Sequence, residues 1–438
     1  MNTSPKILRV AVNVPLAREF DYRPPPGPLP APGSRVRVPF GRRSETGIVL
    51  GYADSSEFSG RGLKQAAAAL DEAPLLSAED LALIRFTSDY YHHPIGEVAA
   101  SALPAALRQG KALEAKSERV VLLRPPADPD TLEKRAPRQA ELLALLADTG
   151  PAGVDVDRIA AAMPTWRRVA AALVDRGVLC IETGAASDVC DSPRVEPGPE
   201  LNSDQERAVA SIAAARDFGA FVLDGVTGSG KTEVYLRLID RTLAAGRQVL
   251  VLVPEIGLTP QLVRRFEKRL GFRPAAMHSS LTDSERLVAW RRAQSGAARL
   301  LVGTRSAVFT PMPDLGLVIV DEEHDHSFKQ QEGLRYSARD LAVVRAKRRG
   351  IPVILGSATP TLEVLKHCAD GSYTHLVLPQ RAGGAEPPLI RLVDLNRPGR
   401  VVAATDPALP PAEVRGALVV APWPADPVTV AALARPLA

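Results

Sequence analysis

Two stretches of this sequence hold residues whose types and spacing suit phosphate chemistry. The first, Gly225-Val226-Thr227-Gly228-Ser229-Gly230-Lys231-Thr232, fits G-x-x-x-x-G-K-[ST] in full. Glycines at this spacing let successive backbone N–H groups turn inward around phosphate oxygens, and the start of a helix adds positive potential. Lys231 is placed to reach the β- and γ-phosphates, and the Thr232 hydroxyl to ligate Mg²⁺. A chance glycine-rich turn would lack the flanking elements, but here the apolar run "AFVLD" precedes the loop and the helical "TEVYLRLIDRTLAAG" follows it. A nucleoside triphosphate with Mg²⁺ is the expected ligand.

The second stretch, "LGLVIVDEEHDHSFKQQ", delivers Asp321 and Glu322 at the end of an apolar strand, where α/β sheets place their sites. Asp321 is expected to hold Mg²⁺ through its water shell, and Glu322 to orient and polarise the attacking water. Acids at a strand end are commonplace alone; some 90 residues after the glycine loop they read as its metal-binding partner. A lone histidine is usually a satisfied surface or core residue, but His324 completes Asp-Glu-Glu-His, the DExH form found in superfamily 2 helicases.

These loops need a scaffold that aligns strand ends. The runs "AFVLD", "RQVLVLVP", "ARLLVG", "LGLVIVD" and "IPVILGS", separated by helical segments, predict a parallel sheet covered on both faces. The expected fold is multidomain α/β. A small β-rich domain is expected over residues 1–112, a winged-helix-like domain over 125–185 and a linker over 186–199. One RecA-like parallel P-loop lobe is expected over 200–385 and a loosely ordered Ala/Pro-rich tail over 386–438. In the second domain "TWRRVAAALVDRG" is read as a helix with Thr165 as N-cap and Trp166, Val169, Ala170, Leu173 and Val174 on one face. Three helices before the strand "VLCIE" fit either a winged helix that touches nucleic acid or a purely structural helical unit.

Bulk composition adds bounds. With 438 residues, 45% hydrophobic and 24% charged, the chain reads as ordinary globular protein of two to four domains. A net charge of +4 permits a nucleic-acid partner without demanding one. Three scattered cysteines predict reduced thiols, and the lack of a signal peptide or a roughly 20-residue apolar run predicts a cytoplasmic protein without membrane contact.

The motifs "GVTGSGKTEVYL", "LVPEIGLTPQ", "VGTRSAVFTP", "VDEEHDHSFKQQEGLRYSARDLAV" and "ILGSATPTLE" resemble those of the PriA family of primosomal replication-restart helicases. So do the N-terminal phrases "VPLAREFDY", "RVRVPFGRR" and "DYYHHPIGEV", which have no general helicase meaning. The resemblance covers nearly everything up to about residue 395. It implies an ATP-dependent 3′-to-5′ DNA helicase that recognises stalled forks and D-loops, works as a monomer, and assembles the primosome with single-stranded DNA-binding protein and other primosome proteins. By motif, Gln205 is expected to contact adenine. Thr259, Thr304 and Arg305 are expected along the single-strand path, with Pro254, Glu255 and Gly303. Ser357, Ala358 and Thr359 would couple nucleotide state to DNA movement. The mixture of Phe328 and Tyr336 with Lys329, Arg335 and Arg339 predicts stacking and ionic contact with single strands. In the N-terminal region Asp21, Gly41 and Lys64 sit where the family grips the 3′ end of a nascent strand.

The resemblance also implies parts that this sequence does not supply: a second RecA-like lobe with its arginine finger, and paired Cys-x-x-Cys zinc sites. Zinc is therefore expected of the family, although its cysteine ligands are absent here. An arginine finger is worth about 10³–10⁵ in rate. On this reading the chain as written binds Mg·ATP and DNA but hydrolyses ATP feebly. The alternative to the helicase is thus a truncated DNA- and ATP-binding fork-recognition module. A P-loop kinase or transport ATPase would carry a lid or partner-ATPase signature, and neither is present.

Overall fold

A computed structural model describes residues 7–56, 62–113, 117–123, 136–147, 154–156, 159, 163, 165–184, 198–255, 257, 260–381, 391–394, 401–403 and 417–420. The chain divides into two bodies, Met1–Pro379 and Gln380–Ala438.

The first body opens with an antiparallel sheet of β1 (Ile7–Val12), β2 (Phe20–Tyr22), β3 (Arg35–Phe40), β4 (Arg43–Ala53) and β5 (Ala68–Ala69), in the order β2-β1-β4-β3-β5. Period-2 alternation turns Leu8, Val10, Val36 and Val38 to one face, and all four are fully buried. Arg35 alternates with them yet is also buried. Its guanidinium pairs with Asp71 at 2.6 Å and donates to the Leu107 and Lys111 carbonyls, each at 2.8 Å, which fixes the sheet to the helices that follow. Helix Ala78–Tyr90 starts from a capping box between Ser77 and Asp80, and a second helix, Ile95–Ser101, packs beside it.

Next comes a small antiparallel sheet of β6 (Ser117–Leu122), β7 (Val154–Asp155) and β8 (Leu179–Gly184), ordered β7-β6-β8, with helices Pro137–Ala147 and Trp166–Asp175. Trp166, Ala170 and Leu173 are buried as expected, but Val174 is 37% exposed. Eight residues on, at about 100° per residue, the apolar stripe has drifted some 80° from Trp166. Thr165 precedes the helix, but its side chain makes no cap bond. The expected helix "VDRIAAAMP" and the linker lie largely outside the described residues.

The largest element is a seven-stranded parallel sheet of β9 (Gly219–Gly225), β10 (Gln248–Leu252), β11 (Ala275–Met277), β12 (Leu300–Gly303), β13 (Leu315–Asp321), β14 (Pro352–Ser357) and β15 (Thr374–Leu378). Their order is β11-β12-β10-β13-β14-β9-β15. The expected RecA-like lobe is borne out, with two edge strands added. β11 is only three residues long, and β15 leaves Thr374, His375 and Val377 exposed, so neither carries a long apolar run. Along the central strands, alternate side chains enter two cores. Val222, Leu250, Val318 and Val353 face helices Asp283–Gln294 and Ala338–Arg349, whereas Leu223, Val251, Ile319 and Ile354 face helices Ser203–Ala213 and Lys231–Ala244. Each such side chain is worth about 1.5–3 kcal/mol on burial.

The first of these cores continues into the N-terminal helices through Leu81, Ile84, Val98 and Leu107. Across that seam the Trp290 indole N–H donates to the Ala102 carbonyl at 2.8 Å, and the buried Arg345 donates to the Val308 and Thr310 carbonyls within 3.9 Å of Asp80. Burial draws the Arg345 guanidinium down to about 10 against the attraction of Asp80.

In the second body, β16 (Arg391–Asp394), β17 (Val401–Ala403) and β18 (Ala417–Val420) form an antiparallel sheet ordered β17-β16-β18. The sequence showed no sustained period here, because strands of three or four residues are too short to display one. Among the described residues no helix is long and apolar enough to cross a membrane.

A candidate nucleotide site and DNA-facing surfaces

Sheet register builds the site. Asp321 pairs with Gly356, and Ser357 with Asp224, so the carboxyl ends of β13, β14 and β9 come level. The glycine loop leaves β9 there and closes into helix Lys231–Ala244. Gly228 and Gly230 hold φ of +82° and +83°, conformations that side-chain-bearing residues rarely adopt. A Cβ on Gly228 would meet nothing within 4 Å, so the loop faces open space on that side. Val226 and Thr227 are exposed, and Thr232 is half-buried in the first helical turn.

The buried Lys231 ammonium donates to the Gly225 carbonyl at 2.8 Å. The Ser229 hydroxyl is buried without a hydrogen-bond partner inside the loop. Left-handed glycines, a helix N-terminus and a lysine suit a polyphosphate. The hydroxyl of Thr232 and the carboxylate of Asp321 are the hard oxygen donors that Mg²⁺ takes.

Asp321 is held above its ordinary carboxylate range, first by burial and then by the neighbouring Glu322 charge; the Tyr235 hydroxyl and the Lys231 cation oppose that rise. Tyr235 donates to Asp321 Oδ1 at 2.9 Å. Its own phenol is pushed well up, by burial first and by Asp321 second. Gly356 makes this packing possible, because a Cβ there would stand 1.6 Å from the Tyr235 oxygen. Glu322 adopts a left-handed backbone (φ +49°), and its side chain stays 40% exposed with one oxygen 3.6 Å from His324 Nδ1. His324 Nδ1 lies 2.7 Å from the Ser357 hydroxyl, which also accepts from Thr359 N at 2.9 Å. The acidic tetrad and the Ser-Ala-Thr segment are therefore directly bonded.

Three participants escaped the sequence reading. Tyr235 and Gly356 form the support under Asp321. Glu323, fully buried, accepts from Arg339 at 3.0 Å and from Thr361 N at 2.8 Å. An i+4 position after Lys231 is the only sequence signal for Tyr235, while Glu323 looks like one more acid in a polar run.

Gln205 sits beside the loop, and both ends of its amide are engaged. Oε1 accepts from Asn202 N at 2.9 Å and Nε2 donates to the Ser229 carbonyl at 2.8 Å. Here it braces the glycine loop with one N–H and one lone pair of its amide.

In the N-terminal sheet, Asp21 in β2 accepts from Ser56 Oγ at 2.5 Å. Arg23 N donates to the Lys64 carbonyl at 2.9 Å, so the exposed Lys64 runs alongside the end of β2. Phe20 meets Phe40 edge-on at 5.1 Å, beside Gly41 with its φ of +58° and open surroundings. Asp21 and Lys64 thus lie on adjoining segments, and Gly41 follows the Phe40 ring that Phe20 meets.

The remaining DNA candidates divide. Lys329 and Arg335 are exposed, whereas Thr304 is buried and gives its N–H to the Met277 carbonyl at 3.0 Å. Arg305 is half-buried and donates to the Ser327 carbonyl at 2.9 Å. Thr259 lies outside the described residues. The expected base stacking on Phe328 and Tyr336 is overturned. Both are at most 3% exposed, because they plug the core under the loop, where Tyr336 packs edge-on against Phe309. Arg339 is held by Glu323 and Asp340.

Residues 9–104 match the family described as the 3′DNA-binding domain (3′BD), and residues 202–367 match the DEAD/DEAH box helicase family. The chain is 40% identical over 392 residues to the replication restart protein PriA of Haemophilus influenzae, covering 87% of this chain and 53% of that one. Against the replication restart protein PriA of Bacillus subtilis the identity is 32% over 455 residues, covering 86% and 56%. Among solved structures, RecG bound to a three-way DNA junction aligns over 45% of this chain and 28% of that chain, with 21% identity and a TM-score of 0.34. The chain spans about half the length of the curated relatives it matches. It is a relative of the replication restart protein PriA that carries a PriA-type 3′DNA-binding domain followed by a DEAD/DEAH box helicase domain.

Proposed function

We propose that this chain supplies the fork-recognising and nucleotide-binding parts of an ATP-dependent 3′-to-5′ DNA helicase that restarts replication and initiates primosome assembly. The observation that carries the reading is the convergence of Lys231, Asp321 and Glu322 at level strand ends, in the same chain as a 3′DNA-binding domain match. Bound ATP with Mg²⁺ would supply the transferable phosphoryl group. Lys231 and the loop N–H groups would hold its phosphates, Thr232 and Asp321 would hold the metal, and Glu322 would orient a water and take its proton. Asp21, Gly41 and Lys64 would receive the 3′ end of a nascent strand, with Lys329 and Arg335 as cationic contacts to single-stranded DNA. Single-stranded DNA-binding protein and other primosome proteins are the partners this role calls for, in the cytoplasm.

The test is binding of a fluorescent ATP analogue with Mg²⁺, and of forks with a free or a blocked 3′ end. Lys231→Ala should weaken nucleotide binding at least ten-fold, since a charge-assisted bond contributes about 1.5–3 kcal/mol. Asp21→Ala should erase a preference for the free 3′ end. Equal binding of both forks by the parent protein would remove the 3′-end assignment.

A further inference from the structure

The N-terminal region meets the helicase domain at a specific atom. Helix Ala78–Tyr90 ends on Tyr91, whose phenolic oxygen accepts a hydrogen bond from Ser337 N at 3.1 Å. Ser337 is the residue that caps helix Ala338–Arg349, through its hydroxyl to Asp340 N at 3.3 Å. Two residues further, Arg339 bonds Glu323 and the Thr361 hydroxyl, both at 3.0 Å. Glu323 in turn gives its N–H to the Gly356 carbonyl at 2.9 Å, directly behind Asp321 and Glu322.

Tyr91 is also fixed from its other sides. Lys329 places its ammonium 5.2 Å from the ring centroid, and Tyr90 packs edge-on against it at 4.9 Å. The chain turns immediately afterwards through His92, one of two described non-glycine residues in the left-handed region (φ +49°), so the direction of Tyr91 is set by a constrained turn. At the other end of the same helix pair, the Arg345–Asp80 approach holds the two helices together. The amide of the residue that caps the 338–349 helix thus has its acceptor in the region matched as a 3′DNA-binding domain, and the helix's first turn touches the buried acid of the nucleotide site.

We propose that Tyr91 is a positioning residue that couples DNA occupancy of the N-terminal region to the nucleotide site, through Ser337, Arg339 and Glu323. It touches neither nucleotide nor DNA in this role. A shift of helix Ala78–Tyr90 on DNA binding changes the bond to Ser337, hence the seat of the 338–349 helix, hence the position of Glu323 behind Asp321 and Glu322. Coupling of this kind is reciprocal, and allosteric couplings commonly amount to 5–150-fold in affinity. The inference rests on the proposed function, which supplies the two ligands.

The experiment measures the affinity of the full chain for a fluorescent ATP analogue with and without saturating 3′-ended DNA, and the affinity for DNA with and without nucleotide. The parent is expected to show a coupling factor of about five-fold or more, equal in both directions. Tyr91→Phe keeps the ring over Lys329 but removes the acceptor, so the coupling factor should fall to near one while each ligand's separate affinity stays within error and the melting temperature falls by no more than the few degrees that one unpaired amide accounts for. Tyr90→Phe, which leaves the Ser337 bond intact, should keep the parent's factor. An unchanged factor in Tyr91→Phe overturns the proposal, and so does a parent whose factor is already one. A fall in both separate affinities, or a fall in melting temperature beyond what one lost hydrogen bond accounts for, would make Tyr91 merely structural and overturns it too. Failure of either ligand to bind the parent at all would instead refute the proposed function.

Discussion

Gly356→Ala is the most demanding single change that the site geometry allows. The added methyl would lie 1.6 Å from the Tyr235 oxygen, 2.8 Å from its Cζ and 3.4 Å from Asp321 Oδ1. An ordinary carbon–oxygen contact needs roughly twice the first of these distances, so the phenol must move by more than an ångström. Tyr235 is 1% exposed on the helix that begins at Lys231, so its ring moves only by displacing packed neighbours. Overpacking of a well-packed core costs about 1–3 kcal/mol, and losing the bond to the Asp321 carboxylate adds about 1.5–3 kcal/mol. The sum is about 2.5–6 kcal/mol, and at about 2–4 °C per kcal/mol for a domain of this size the melting temperature should fall by about 5–24 °C. Denaturant titration of the parent, Gly356→Ala, Tyr235→Phe and the double variant forms a cycle. Removing the phenolic oxygen relieves the closest clash, so the double variant should be at least about 1 kcal/mol more stable than additivity predicts. A cost below about 0.5 kcal/mol for Gly356→Ala, or additivity within error, would refute the packing argued for Tyr235.

Three further outcomes can be read with ordinary measurements. Asp321→Asn should stabilise the nucleotide-free protein at neutral pH while weakening Mg²⁺-dependent nucleotide binding. The carboxyl is held above its unfolded value, so stability is lost as pH rises from that unfolded value through the folded one, and the ionised group is penalised above it; a parent-minus-variant stability difference that does not change between pH 4 and 8 would contradict this. Arg345→Met should cost about 3–5 kcal/mol by leaving Asp80 and the Val308 and Thr310 carbonyls without their cation, measured as a lower denaturation midpoint. His92→Gly should raise stability by about 0.5–1 kcal/mol, because the left-handed conformation costs an L-residue about 1–2 kcal/mol and glycine's extra freedom in the unfolded chain takes back about 0.4–1; no gain in melting temperature would argue against strain at that turn.

What the sequence determined by itself was local chemistry and period. The glycine loop, the acids at the end of an aliphatic run and the parallel sheet were legible, because each depends on residues within a few positions of one another. The near-continuous apolar strands announced burial on both faces, and the structure divides them between two cores. The N-terminal phrases pointed to a 3′-end-binding region before any strand order was known, and residues 9–104 match that family.

Tertiary structure alone decided which side chains are left to meet a ligand. Phe328 and Tyr336 stand in a run of cations and looked available for stacking, yet the core beneath the loop takes both rings, since burying a large aromatic surface outweighs leaving it in water. Glu323 is inseparable from its neighbours in sequence, but strand register puts it against Gly356, Arg339 and Thr361. Gln205 and Tyr91 acquire their partners 24 and 246 residues away. Contacts across such distances depend on how sheets and helices stack, and no local pattern records that.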